Sequence, residues 1–216
     1  MDDPGLPEPL HHEALAGLAR LNAASGLARS LWPSIRREVA AAGRPLTILE
    51  PACGGGEVLA GLVARARGRL RGLGEDISPV AVRRARARFA ALPIRWRVAD
   101  ALATEAPRAD IVFCSLFLHH LDAPDVVALL RQLDARARRL VLVSDLERGW
   151  LAWWGVWLAA RVLTRSPVVH VDSGLSVRAA WTRRELDQLA RRAGINAPLP
   201  RVSFPARQLL AWRPAP

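Results

Sequence analysis

The chain has 216 residues, of which 51% are hydrophobic, so it can bury one globular core of ordinary size. Lysine is absent, which excludes a phosphate-binding loop of the Gly-Lys-Ser/Thr type. The net charge of +11 comes from arginines spread along nearly the whole chain, a distribution that indicates compositional bias more than a nucleic-acid-binding surface.

The N-terminal segment, residues 1–43, is predicted to be helical. Aliphatic residues recur at roughly helical spacing from Leu15 to Val39, and Pro33 is expected to break this run into two helices. His11 and His12 precede the run and are interpreted as solvated rather than catalytic. The acidic N-terminus lacks a signal-peptide core and the chain has no long uninterrupted apolar stretch, which favours a cytoplasmic protein.

The sequence is organised around residues 46–57, Leu-Thr-Ile-Leu-Glu-Pro-Ala-Cys-Gly-Gly-Gly-Glu. An apolar, β-branched run followed by a glycine cluster predicts a buried parallel strand, a ligand-binding loop and a helix from Glu57 to about Arg67. A dinucleotide-binding fingerprint would need a small residue where Leu59 stands. The remaining interpretation is an adenosine ligand without a pyrophosphate.

This stretch resembles the first motif of the class I S-adenosylmethionine-dependent methyltransferases, acidic-x-Gly-x-Gly-x-Gly. Glu50, Ala52, Gly54 and Gly56 fall on its four defining positions. Ala52 replaces the first glycine, so the turn is expected to be more open there or to have a negative φ. The resemblance implies S-adenosylmethionine as the cofactor, and it implies that the helical segment 1–43 forms a lid.

Carboxylates follow the next two predicted strands. Asp76 follows the strand Arg69–Glu75 about 20 residues beyond the glycines, the spacing at which a carboxylate reaches both hydroxyls of a ribose. Asp100 follows the strand Ile94–Val98 and resembles the family's third motif, whose aspartate accepts a hydrogen bond from the adenine amino group. The predicted cofactor-binding set is Glu50, Ala52, Cys53, Gly54, Gly56, Asp76, Ile77, Asp100, Ala101 and Ser115.

The strongest buried strand, Ala109–Ser115, leads into a loop with two histidines. Ligands of open α/β sheets bind at the carboxyl ends of the strands, so His119 and His120 are expected near the cofactor. Together with His170 they are the candidate general bases, and no metal site is predicted. The Asn/Asp-Pro-Pro-aromatic motif typical of methylation of nucleic-acid amino groups is absent.

Strands and helices alternate through the helix 122–136 and the strand 139–146, which predicts a doubly wound, Rossmann-like α/β fold. The full prediction is a seven-stranded, mostly parallel sheet in one domain. Thr182 and Glu185 predict a capping box. The resemblance implies that residues 195–213 supply the last two strands as an antiparallel hairpin, and the prolines there make these strands edge-like and irregular. The domain is divided into a lid at 1–43, a cofactor-binding core at 44–146, a Trp-rich insertion at 147–180, and a helix and hairpin at 181–216.

Four tryptophans at positions 150, 153, 154 and 157 have the spacing of one helix face. Each indole can bury about 150–250 Å², so this face is expected to be covered. Three interpretations stay open: packing on the domain's own core, a wall or lid for a large apolar substrate, and a membrane-interface face.

The predicted function is methyl transfer from S-adenosylmethionine to an oxygen, or less favourably a carbon, of a hydrophobic small molecule. The segment 172–178 resembles methyltransferases of bacterial clusters that make polyketides and phenolic lipids, which implies a phenolic or polyketide-derived acceptor. The alternatives are an RNA methyltransferase and an inactive homologue that keeps the cofactor pocket. The sequence leaves the oligomeric state open.

Overall fold

A computed structural model describes residues 13, 16, 17, 20, 21, 26–103, 107–164, 166–196, 200–203 and 206–214. His11, His12, Leu15 and Leu18 lie outside the described residues. The helices are α1 (Leu27–Ala41), α2 (Glu57–Arg65), α3 (Pro79–Arg88), α4 (Ala123–Arg136), α5 (Trp150–Leu163), α6 (Pro167–Ala179) and α7 (Arg183–Arg192). The strands are β1 (Leu46–Pro51), β2 (Leu70–Asp76), β3 (Ile94–Val98), β4 (Ala109–Ser115), β5 (Ala137–Leu146), β6 (Arg201–Ser203) and β7 (Arg207–Trp212). A 3₁₀ turn, Leu118–His120, follows β4.

The seven strands form one sheet in the order β3-β2-β1-β4-β5-β7-β6, which confirms the predicted fold. β1 pairs in parallel with β2 on one side and β4 on the other, while β7 runs antiparallel to β5. The strand order reverses at β1, so the crevice outside the carboxyl ends of β1 and β4 is where this architecture binds ligands.

Helices cover both faces of the sheet. On one face α1 packs on α2, and Leu27, Leu31 and Ile35 are fully buried there. On the other face α4 packs on α7, with Leu129 and Leu186 fully buried. The apolar positions repeat at helical spacing on each element, so burial of these side chains stabilises the layers that hold the crevice rigid.

The segment 168–178, inside the predicted insertion, is part of a helix, α6, that packs on α5. Two local predictions are wrong. Pro33 lies inside the continuous helix α1, because its side chain is exposed and the buried positions keep their spacing across it. β7 is not an edge strand, since it pairs with β5 as well as with the short outer strand β6.

The Trp-rich helix α5 follows β5 as predicted, but it is poorly covered. Within it only Ala160 is fully buried, whereas Trp150 and Trp154 are 73% and 54% exposed. The indoles of Trp153, Trp154 and Trp157 contact one another, with ring centroids 5.0–6.2 Å apart. Packing on the core therefore does not account for the whole tryptophan face. In the described residues no helix is long and apolar enough to cross a membrane.

Candidate active site

The glycine loop joins β1 to α2 and contains three residues in the left-handed region. Their φ angles are 53° at Ala52, 52° at Gly54 and 77° at Gly56. A Cβ at Gly56 would lie 2.3 Å from the ring of Trp96, so glycine is required there for packing as well as for φ. A Cβ at Gly54 would meet no atom within 4 Å, which leaves open space beside the loop for a ligand.

Ala52 does not have the negative φ, or the more open turn, expected from the sequence. Neighbouring backbone bonds hold it in the left-handed region, because Cys53 N–H donates to the Glu75 carbonyl at 2.8 Å and Gly56 N–H to the Cys53 carbonyl at 2.9 Å. This conformation costs a non-glycine residue about 1–2 kcal/mol. The loop therefore has the backbone conformation that a glycine at position 52 would adopt without strain, and Ala52 is strained in it.

Glu50, at the end of β1, is the buried carboxylate beneath the loop. Its Oε1 accepts a hydrogen bond from Ser115 Oγ of β4 at 2.6 Å, which ties the two central strands together at their carboxyl ends. Its Oε2 is buried with no hydrogen-bond partner in the described part of the chain. Burial raises the pKa of Glu50 well above its ordinary value, and the bond from Ser115 offsets only part of that rise. A donor from a bound ligand fits this atom.

Two adjacent carboxylates end β2, and only one of them faces the loop. Asp76 accepts the N–H of Gly54 at 2.7 Å and the N–H of Ser78 at 2.9 Å. Glu75 is fully buried and binds the guanidinium groups of Arg97 and Arg136 at 2.6 and 2.5 Å. Asp76 is therefore the carboxylate that faces the glycine loop, and its bonding to a ribose stays a prediction.

An apolar shelf lies beside Asp76 at the ends of β2 and β3. Ile77 is 71% exposed and Val98 is 50% exposed, which is unusual for aliphatic side chains at the edge of a buried sheet. Asp100 is exposed and accepts the N–H of Leu102 at 2.9 Å. A flat apolar group could cover this shelf while the second oxygen of Asp100 accepts a hydrogen bond from its edge.

Two members of the predicted set have their side chains turned into the protein. Cys53 is buried in the core, and burial raises the pKa of its thiol well above the ordinary value. Ala101 is also buried, in the layer formed with α4 and α7. Only their backbone groups can therefore meet a ligand.

His119 forms a buried pair with Asp145. Its Nδ1 lies 2.6 Å from Asp145 Oδ1, and its backbone N–H donates to Asp145 Oδ2 at 3.2 Å. The two side chains come from the 3₁₀ turn after β4 and from the end of β5, which are neighbouring strands. The histidine was predicted and the aspartate was missed. A carboxylate at the end of the next strand was the available signal, because parallel neighbours bring their carboxyl ends together.

The other two candidate histidines occupy different surroundings. His120 is exposed and its ring centroid lies 4.1 Å from that of His119. His170 Nε2 lies 2.8 Å from the carbonyl oxygen of Thr164, to which it donates, and it thereby closes the end of α5. His170 does not belong to the His119–Asp145 pair, and its contacts are those of a structural residue.

A cleft of about 350 Å³ opens directly after β5. It is lined by Arg148, Gly149, Trp150, Trp153, Trp154, Val177 and Arg178. Trp181 connects this cleft to the 3₁₀ turn, because its carbonyl accepts the N–H of Arg148 and its indole N–H donates to the carbonyl of Leu118 at 3.1 Å. Among the described residues no group of three or more His, Cys, Asp or Glu side chains is arranged to hold a metal ion.

Comparison with known proteins identifies the core of the chain. Residues 48–139 match the family described as "Methyltransferase domain". No curated protein sequence matches the chain. The match and the fold together confirm the resemblance to class I S-adenosylmethionine-dependent methyltransferases.

Solved structures share the fold at low sequence identity. Human N-acetylserotonin methyltransferase in complex with SAM has a TM-score of 0.70 and 17% identity over 97% of this chain and 57% of its own. Magnesium protoporphyrin IX methyltransferase from Synechocystis PCC 6803 with bound SAH has a TM-score of 0.61 and 16% identity over 88% of this chain and 84% of its own. The mitomycin 7-O-methyltransferase has a TM-score of 0.61 and 22% identity over 78% of this chain and 49% of its own. The chain thus spans only about half the length of two of these three proteins.

Proposed function

Since residues 48–139 match a methyltransferase domain, we propose that the chain transfers a methyl group from S-adenosylmethionine to an oxygen of a hydrophobic, phenolic or polyketide-derived small molecule. The observation that carries the proposal is the buried His119–Asp145 pair at the carboxyl end of β4, one strand from the glycine loop. A general base at that position would remove the proton of a hydroxyl group that accepts the methyl group.

The cofactor would be held by residues that already have the matching chemistry. Asp76 lies beside the glycine loop, where its carboxylate would accept from the ribose hydroxyls, Ile77 and Val98 supply an apolar surface for adenine, and Asp100 can accept from the adenine amino group. The unpartnered Oε2 of Glu50 and the open space beside Gly54 suit the methionine portion. When bound, the cofactor supplies an electrophilic methyl group on a sulfonium.

His119 would take the proton of the acceptor. A histidine in the neutral form has one N–H, and the carboxylate of Asp145 requires that Nδ1 carry it. The lone pair of Nε2 is then available to an incoming hydroxyl. A phenol costs about 4 kcal/mol to ionise at pH 7, and a base in contact with it offsets much of this cost. Asp145 acts through His119, as a positioning residue.

The acceptor is proposed to be hydrophobic because the cleft after β5 presents three indoles. Trp150, Trp153 and Trp154 line it beside the end of the strand that carries Asp145. A cytoplasmic location is part of the proposal. The mitomycin enzyme supports the choice of oxygen by its name alone.

The nucleic-acid alternative has little support in the charge distribution. Arginine side chains in the described residues are engaged in ion pairs with carboxylates on most elements of the fold, including Arg44, Arg88, Arg97, Arg136, Arg139, Arg183 and Arg213. A groove for a nucleic-acid backbone needs clustered cations that are available to phosphates.

Binding of S-adenosylhomocysteine tests the cofactor site. Calorimetry should give an affinity in the micromolar range, about −8 kcal/mol, and Asp76→Ala should weaken it by about 1–3 kcal/mol because both ribose bonds are lost. Asp187→Ala is the matched control, since Asp187 is ion-paired with Arg191 on the surface of α7. Failure of the intact protein to bind would remove the proposed function, and equal weakening in both variants would remove the role of Asp76.

Acceptor chain length tests the proposed wall of indoles. Trp153 and Trp157 are half-buried and stacked at 6.2 Å, so replacing both by alanine should widen the cleft. In wild type, turnover of alkylphenols below their aggregation limit should rise with chain length, at about 0.8 kcal/mol per buried CH₂. The double variant should flatten that rise. If instead it loses activity equally on short and long acceptors and melts well below wild type, the indoles are packing residues and the wall hypothesis is wrong.

A further inference from the structure

The hairpin of α5 and α6 carries an apolar face that its own packing does not use. This face, called here the docking face, consists of Trp150, Leu151, Trp154, Leu158 and Val162 on α5 and Val171 and Leu175 on α6. Each side chain is 54–73% exposed. Of the ten exposed large apolar side chains in the described part of the chain, seven lie here, so the exposure is concentrated rather than scattered.

The spacing shows that the docking face is a surface distinct from the interior of the hairpin. Positions 150, 154, 158 and 162 on α5 recur every four residues, as do 171 and 175 on α6. The opposite sides of the helices supply the buried contacts, among them Ala160 and Val169. The exposed side chains of the docking face do not belong to this buried cluster, so they are accessible to a partner.

The chemistry around the docking face fits a lipid surface. The guanidinium of Arg161 lies 3.8 Å from the ring centre of Trp157, and that of Arg178 lies 5.7 Å from the ring centre of Trp153. Indoles favour the headgroup region of a bilayer, and arginines beside them attract anionic headgroups. In the described residues of α5 and α6, Asp172 is the single acidic side chain, and the whole chain carries a net charge of +11. Positive charge around an apolar face is complementary to an anionic bilayer and disfavours pairing with a second copy.

Helix length decides how the hairpin would meet the lipid. α5 has 14 residues, whereas spanning the hydrocarbon core takes about 20. Helices that lie in the plane of the interface carry Trp and Leu on one side and arginines beside them, which is the arrangement of the docking face with Arg161 and Arg178. Trp150 and Trp154 belong both to the docking face and to the lining of the cleft, so a molecule leaving the bilayer leaflet that faces the protein would meet the cleft mouth directly.

We infer that the docking face binds the surface of an anionic bilayer and that the cleft takes an amphiphilic acceptor from it. The second half of this inference rests on the proposed methyl transfer, and the first half does not. Arg178 at the cleft mouth would meet phosphates while the indoles receive the apolar part of the acceptor.

Vesicle co-sedimentation of the intact chain tests the inference. Wild type should sediment with vesicles containing about one-third phosphatidylglycerol, and at least about tenfold less with pure phosphatidylcholine, since arginines supply part of the attraction. Binding should weaken as salt rises from about 0.05 to 0.5 M. Equal binding to both vesicles, or no binding to either, overturns the inference.

The variant that removes the apolar contact combines Leu158→Ser, Val162→Ser, Val171→Ser and Leu175→Ser. None of these side chains lines the cleft, and all are 56–73% exposed, so the melting temperature should be preserved. Vesicle binding should fall at least about tenfold. Val202→Ser is the matched control, because Val202 is 65% exposed on β6, outside the docking face, and its replacement should leave binding intact. Equal effects of the two variants overturn the inference.

Two further measurements separate the remaining outcomes. Brominated lipids should quench the tryptophan fluorescence of wild type, and the double variant Trp150→Phe with Trp154→Phe should lose most of this quenching. This test does not need the serine variant to fold.

Sedimentation velocity tests whether a second copy covers the docking face. If wild type is a dimer that does not bind vesicles, and the serine variant is a monomer, a second copy occupies the docking face and the inference is overturned. Vesicle binding without turnover of any phenol defeats the proposed function and leaves the docking intact, whereas turnover of a short soluble phenol without vesicle binding defeats only the docking.

Discussion

Replacing His119 by alanine is expected to lower turnover by about 10²–10⁴-fold while the affinity for S-adenosylhomocysteine barely changes. The reason is that His119 is the histidine whose ring is oriented by a buried carboxylate, with Nδ1 2.6 Å from Asp145 Oδ1. Single-turnover kinetics on a soluble phenol, with calorimetry on the same preparation, measures both quantities. His120→Ala is the matched comparison, since the neighbouring exposed ring should be dispensable.

Two further variants distinguish a base from a packing residue. His119→Asn keeps a side-chain donor for Asp145 but cannot take a proton, so it should fold like wild type and still lose the rate. Asp145→Asn should lower the rate less than His119→Ala and change its pH profile, because the amide no longer favours the productive tautomer. If His119→Asn retains full activity, or if His120→Ala alone abolishes it, the assignment of the base is wrong.

Replacing Glu75 by alanine is expected to destabilise the fold by about 3–5 kcal/mol, because a buried guanidinium loses its partner. Arg136 is 3% exposed at its side chain and lies 2.5 Å from the Glu75 carboxylate, which also binds Arg97. For a chain of this size the melting temperature should fall by about 6–20 °C, measurable by calorimetry or circular dichroism.

The surface pair of Asp187 with Arg191 is the control for this effect. Asp187→Ala should cost at most about 0.5 kcal/mol, since exposed ion pairs spaced by four residues contribute little. Glu75→Ala, studied below its melting temperature, should bind S-adenosylhomocysteine like wild type, in contrast to Asp76→Ala. A melting temperature within about 2 °C of wild type would show that Arg136 finds another partner and that the buried network is dispensable.

The glycine loop shows how far local pattern reasoning extends. The order strand, loop and helix around residues 46–57 was predictable, because burial on both sides of a parallel strand requires an apolar run and the turn requires small residues. The φ of Ala52 was not predictable, since it is imposed by backbone hydrogen bonds to β2, which is distant in sequence. The need for glycine at position 56 likewise comes partly from Trp96 of β3.

The catalytic proposal shows the same division. His119 was a candidate because it follows a strongly buried strand, but nothing in the sequence ranked it above His120 or His170. The ranking comes from contacts: Asp145 beside His119, and the carbonyl of Thr164 beside His170. These partners lie on other elements. Asp145 could be recognised as the partner of His119 only once the strand order showed that β4 and β5 are neighbours.

The sequence by itself determined the alternation of strands and helices, the cofactor class and the position of Asp76, because periodicity, glycines and spacing act over a few neighbouring residues. Only the tertiary structure decided that Glu75 is ion-paired with two arginines, that Asp145 orients His119, and that half of the tryptophan face is exposed to solvent. Each of these depends on which surfaces meet across the sheet or across the α5–α6 hairpin. Whether a side chain is buried, ion-paired or exposed cannot be predicted from its neighbours in the sequence, because the groups that bury it or pair with it come from distant parts of the chain.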